Sequence, residues 1–183
     1  MKDKIPFYNI VNMFFVGAVS LLFLVVLLWN DISMDWIKRN AELLSDWSVL
    51  VSIILLIAAY EIGFIINRLG SIVIEPILIR MKIWPRQKYK IDISEISEHN
   101  RKFQSMILEL NLMRSHIMMC LLLLIISLIV AKWWFCLVFV ALSVIFIFGG
   151  QKHNAKINII REEYLEQKQK REKLNEEQQK KVI

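Results

Sequence analysis

Glu61, Arg68 and Glu75 follow one another at intervals of seven residues, and Glu109, Asn111, Arg114, Ser115 and His116 form a second polar group further along. Seven residues is close to two helical turns, so an unbroken helix would carry the first three on one face. Carboxylates and a guanidinium so placed could pair, relay protons or line an ion path. Glu61 sits inside an apolar stretch, about two turns from its polar end, where an unpaired carboxylate is costly. It must therefore be neutral, paired or turned to a wet cavity, and Asn12, Arg114 and His116 are the partners the sequence offers. A functional polar site and a structural salt bridge with Arg114 are equal readings. The second group reads as a polar collar at the lipid headgroups, or as a coupling point between the bilayer and a cytoplasmic helix. His99 and His116 carry the side chain that titrates near neutral pH, although a histidine on a packed seam is more often a satisfied core residue.

Other chemistry is sparse. The chain has no glycine-rich phosphate loop, no G-x-S-x-G and no H-E-x-x-H, and its 5 glycines are dispersed. Arg114 and His116 are too close in sequence for a nuclease pair. Cys120 and Cys136 lie in apolar blocks at different distances from Lys132, so two separate thiols are expected, and no Cys/His spacing suits a metal. The expectation is a non-enzymatic protein with no catalytic residue, metal or cofactor.

Apolar blocks position these residues. Of 183 residues 56% are hydrophobic and 22% charged, and the two classes segregate along the chain. Blocks of about 18 or more apolar residues read as membrane spans. The sequence thus predicts an all-α membrane protein with four transmembrane helices, two of them extended into a cytoplasmic helical domain. A cytoplasmic N-terminus covers residues 1–7, and the spans cover 8–29, 48–67, 115–131 and 133–150. Between and after them lie an outer loop at 30–47, a cytoplasmic helical segment at 68–114 and a charged cytoplasmic helix at 151–183. Read as one helix, residues 117–148 would measure about 48 Å against roughly 30 Å of hydrocarbon. Two spans joined by a tight turn at 131–134 fit better, with a re-entrant hairpin as the alternative. Twenty of the 23 Lys and Arg residues then fall on the inner side, and only Lys38, Arg39 and Lys132 on the outer. This positive-inside bias accounts for the net charge of +6, and no direct nucleic-acid binding is expected. Trp29, Trp36, Trp47, Trp133 and Trp134 fall at the outer interface and Trp84 at the inner one, where indole is favoured. Pro76 predicts a kink or stop in the helix that continues from the second span.

Ile96, His99, Phe103, Met106, Leu110, Met113 and Ile117 alternate spacings of three and four, the repeat of a helix packed along one seam. A cytoplasmic helix starting near Asp92 should run straight into the third span, with Ile96, Phe103, Met106, Leu110 and Met113 as its seam. Ile157, Ile160 and Tyr164 should pack on it, leaving the distal tail solvated. Tyr60, Gly63, Asn67 and Gly70 share a stripe of the second span. Glycine there lets backbones approach and Asn can hydrogen-bond across the contact, so the stripe is either a helix-packing surface within one subunit or a subunit interface.

The strings Y-E-x-G-x(3)-N-R-x-G at residues 60–70 and E-x-N-L-x-R-S at 109–115, in a short four-span chain, resemble the small membrane subunits of bacterial anti-phage defence systems, in particular the KwaA subunits of Kiwa systems. That resemblance implies a homo-tetramer in the bacterial inner membrane that detects phage-induced membrane stress and holds a DNA-binding partner; it brings no catalytic residue. The functional expectation is an oligomeric inner-membrane subunit, both termini cytoplasmic, that senses or perturbs the bilayer and docks a cytoplasmic protein. A small ion channel or transporter protomer, with Glu61, Asn67 and Arg68 lining a path, and a passive anchor or assembly subunit are the other readings.

Overall fold

The computed structural model describes residues 7–28, 40, 46–85 and 101–182. Its regular structure there is all helical. The elements are α1 (Phe7–Leu27), α2 (Ser48–Leu69), a π-helical segment (Gly70–Ile74), α3 (Glu75–Arg80), α4 (Arg101–Ile129) and α5 (Trp133–Val182). Four stretches are long and apolar enough to cross a membrane, one each in α1, α4 and α5 and one running from α2 through α3. Most of the expected outer loop, and the expected helix start near Asp92 with Ile96 and His99, lie outside the described residues.

Two closely packed pairs, α1 with α2 and α4 with α5, are joined mainly through α4. Between them sits a core of Val16, Leu27, Ile66, Met119, Cys120, Leu123 and Phe139. Phe23 meets Phe139 edge-on at 5.3 Å, the arrangement that ring quadrupoles favour. Ser20, Ser127 and Ser143 are buried, and each donates to the carbonyl four residues back at 2.7, 2.7 and 2.8 Å. Their hydroxyls are thus satisfied without water, as an apolar surrounding requires. The outward surfaces are apolar as well: Ile54, Ile57, Ile65, Leu137 and Ile145 are all more than half exposed.

The turn between α4 and α5 falls at Val130, Ala131 and Lys132, and α5 begins at Trp133. Ala131 has φ 56°; its N–H donates to the Leu128 carbonyl at 3.2 Å and the Lys132 N–H to Ser127 at 2.9 Å. This pair of bonds is the Schellman closure, usually built on glycine. The end of α3 repeats it with Lys82 at φ 58°, whose N–H donates to Ile79 while that of Ile83 donates to Leu78. The Lys132 ammonium donates to the Val26 carbonyl at 3.2 Å, so the turn is level with the last turn of α1. The α4–α5 hairpin therefore runs the full length of α1 and does not stop part-way along the bundle.

Pro76 does not end the helix. It lacks the N–H that would bond Ile72, and its ring would press on that carbonyl in a regular helix. The π segment just before it widens the turn, with the Glu75 N–H bonding back to Gly70. The chain then continues helically to Arg80. The extra residue in this turn also rotates everything beyond it, which decides where Glu75 points.

α5 is 50 residues long, about 75 Å at the helical rise. Past Gly150 it packs on the start of α4 through Ile157, which is buried against Phe103 and Met106, with Leu110, Ile160 and Tyr164 around them. Residues 166–175 are exposed on every side. The helix leaves the bundle as a stalk, and the two ends of the bundle are called here the stalk end and the turn end.

Candidate functional site: the polar junction at the stalk end

α2 meets two partners along one stripe, and glycine sets both distances. A Cβ on Gly63 would lie 1.7 Å from the Met13 carbonyl oxygen, and one on Gly17 the same distance from that of Ala59. The backbones of α1 and α2 thus touch at this crossing, which only residues without a side chain permit. Further on, Gly70 faces α4, where a Cβ would lie 3.0 Å from the Arg114 carbonyl oxygen. Asn67, one turn earlier, accepts the Ser115 hydroxyl at 2.8 Å. Gly63, Asn67 and Gly70 are therefore engaged inside this chain, and Tyr60 is half-buried on the flank of the same stripe.

The polar groups divide differently from the heptad spacing. Arg114 donates to Glu75, and neither side chain is more than 29% exposed. The π segment has turned Glu75 off the face it would share with Glu61 and Arg68 and towards α4. Glu61 pairs with none of Asn12, Arg114 or His116; it and Arg68 are exposed on the outside of the bundle. The Arg68 guanidinium lies over the Phe64 ring, 5.1 Å from its centroid. His116 is a core residue. Its Nδ1 is 2.9 Å from the Leu112 carbonyl, and its ring lies between Phe15 at 6.3 Å and Phe146 at 4.7 Å. Glu109 meets His153 of α5 at 3.1 Å. Among the seam residues, Leu110 joins both clusters of the stalk end, and Met113 lies beside Gly149 of α5.

Three features of the junction were not expected from the sequence. Trp84 does not sit wet at an interface: it is 2% exposed, a Cβ on Gly150 would strike its ring at 2.4 Å, and its N–H donates to the Ile147 carbonyl at 3.4 Å. The adjoining Pro85 carbonyl accepts Asn154 Nδ2 at 3.3 Å. Arg161, one of many charges in the tail, is 4% exposed. Its guanidinium lies 5.9 Å from the Phe103 centroid, with Nε and Nη1 unpaired among the described residues. A cavity of about 50 Å³ opens between α1, α2 and α4, lined by Asn9, Asn12, Asn67, Asn111 and Ser115 with Met13, Val16 and Leu112. Neutral amides and a hydroxyl make it a place for water. Cys120 and Cys136 are free and buried, and among the described residues no His, Cys, Asp and Glu group could hold a metal ion.

The two strings behind the family resemblance are packed on each other here, Gly70 against Arg114 and Asn67 against Ser115. No family model matches the chain, and neither a curated protein nor a solved structure matches it. The resemblance therefore rests on residues 60–70 and 109–115 and on the short four-helix layout of the chain.

Proposed function

We propose that this chain is a non-enzymatic subunit of a bacterial inner membrane that responds to the state of the bilayer and docks a cytoplasmic protein on its stalk. The observation that carries the docking role is α5, one uninterrupted helix from span to stalk, whose residues 166–175 are all exposed. Beyond its contacts with α4 about seventeen residues of it remain, to Val182, some 25 Å of helix. A passive lipid anchor has no use for a rigid lever of that length. Support for a response to the bilayer comes from the seam between the helix pairs. An apolar groove of about 210 Å³ opens there between α1, α2 and α4, and the two pairs could shift against each other as lipid packing changes. With the stalk end in the cytoplasm, the Lys and Arg distribution obeys the positive-inside rule. The likeness of residues 60–70 and 109–115 to Kiwa membrane subunits favours an anti-phage role, with a homo-tetramer and a DNA-binding partner as its specific form. An ion path within one chain finds less support, because Asn67 lines the internal cavity while Glu61 and Arg68 are on the outside.

The test uses the full chain expressed with the products of its neighbouring genes. A soluble protein should co-purify with the membrane-extracted chain, and removal of residues 166–183 should release it while the chain stays in the membrane. Phage challenge should give protection that the truncation abolishes. Retention of every interactor by the truncated chain, or protection without the stalk, would reject the docking role. Ion flux in liposomes holding the chain alone would move the reading to a channel.

A further inference from the structure

The face of α2 opposite Gly63 carries a continuous exposed stripe, Ile54, Ile57, Glu61, Ile65 and Arg68, with the exposed Ile72 of the π segment beyond it. Its steps of three and four residues are those of a helix packed along a seam, yet none of the described residues covers it. Lipid alone would suit the isoleucines but not Glu61. That residue is 13 positions from the start of α2 and 9 from Gly70, roughly 20 Å and 14 Å along the axis. Its side chain also leans towards the helix N-terminus, away from the nearer end. It reaches neither surface by stretching, and among the described residues no hydrogen bond or ion pair meets its carboxylate. Arg68 sits two turns below on the same stripe. Its guanidinium folds back over Phe64, one turn nearer to the level of Glu61.

From this arrangement we infer that the stripe is where two copies of this chain associate, with Glu61 of each paired to Arg68 of the other. The inference rests on the membrane reading given above. Copies inserted in the same sense meet about an axis along the bilayer normal, so residues face each other at equal depth. The folded-back Arg68 shortens the remaining offset to about one turn, within reach of two extended side chains. A second copy supplies both the apolar surface for the isoleucines and a cation near the level of the carboxylate. Within one helix Glu61 and Arg68 form no ion pair, and the guanidinium lies over Phe64 instead.

Two measurements in native membranes test this. In a chain with Cys120→Ala and Cys136→Ala, Ile57→Cys and Ile65→Cys should each form an oxidised species of twice the chain mass, while Val144→Cys, exposed on α5, should not. Differently tagged copies co-expressed as wild type should co-purify. Glu61→Arg in both copies should lower the yield at least tenfold, and Glu61→Arg in one copy with Arg68→Glu in the other should restore it, because that combination rebuilds both pairs only across the interface. Equal cross-linking at Val144, a cross-linked species of any other mass, or undiminished association of Glu61→Arg copies would overturn the inference. Alkaline extraction is run alongside: a chain released by it would take down the membrane reading, and the interface with it.

Discussion

Replacing Gly63 with alanine opposes two effects of known size. Alanine favours a helix over glycine by about 1 kcal/mol, so on local grounds the substitution stabilises. The new Cβ, however, would sit 1.7 Å from the Met13 carbonyl oxygen, where a carbon and an oxygen in close contact keep about 3.3 Å. The two helices must then part by roughly 1.6 Å, or tilt, because the obstacle is backbone and cannot rotate away. Such overpacking costs about 3 kcal/mol at the upper end of its usual range. The net expectation is a loss of ~2 kcal/mol. Gly149 is the control: a Cβ there would meet only the Met113 thioether, at 3.4 Å and 3.7 Å. A flexible side chain can yield, so Gly149→Ala should gain roughly 0.5–1 kcal/mol from helix propensity. Reversible unfolding of the purified chain in mixed micelles, followed by circular dichroism, reads both. Gly17→Ala should resemble Gly63→Ala, and the double variant should cost less than the sum, since helices already parted leave room for the second methyl. If Gly63→Ala and Gly149→Ala unfold at the same detergent fraction, the backbone crossing is not where the structure puts it.

Ala131 holds a left-handed conformation that costs an L-residue roughly 1–2 kcal/mol, so Ala131→Gly should raise the unfolding midpoint by an amount near 1 kcal/mol, and no change would mean that the turn is not closed as described. Glu75→Gln leaves the Arg114 guanidinium half-buried without its counter-charge. A loss of roughly 2–3 kcal/mol is expected, below the full penalty of a broken buried pair because Glu75 is 29% exposed. Glu75→Gln with Arg114→Leu should recover part of it in the same assay, whereas Glu61→Gln in a monomeric, detergent-solubilised chain should be neutral.

Much of the bundle was legible because blocks of apolar residues report directly how many helices are long and apolar enough to cross a membrane, and the sum of charge and length placed the turn at Lys132. The seam also followed from spacing: Phe103, Met106 and Leu110 pack on Ile157, Ile160 and Tyr164 as the repeat required. What the spacing hid was a change of register. The seven-residue interval of Glu61, Arg68 and Glu75 assumes an unbroken α-helix, and the π segment before Pro76 violates it, so Glu75 reaches Arg114 while Glu61 and Arg68 remain outside. Trp84 was misread for a different reason. Tryptophan between prolines and lysines looks interfacial by composition, and only Gly150, far along the chain, makes the slot that buries it. The stripe of Tyr60, Gly63, Asn67 and Gly70 was visible, but not its division between α1 and α4. Gly17, the residue that lets Gly63 approach, stands in an apolar run without any neighbouring signal.

The account depends first on four crossings with the stalk on the cytoplasmic side. In a cysteine-free chain, Trp134→Cys at the turn end and Lys170→Cys on the stalk can be exposed to a membrane-impermeant maleimide, before and after permeabilisation of spheroplasts. The account predicts labelling of Trp134→Cys in intact spheroplasts and of Lys170→Cys only after permeabilisation. Labelling of Lys170→Cys in intact spheroplasts, or of Trp134→Cys only after permeabilisation, would contradict it.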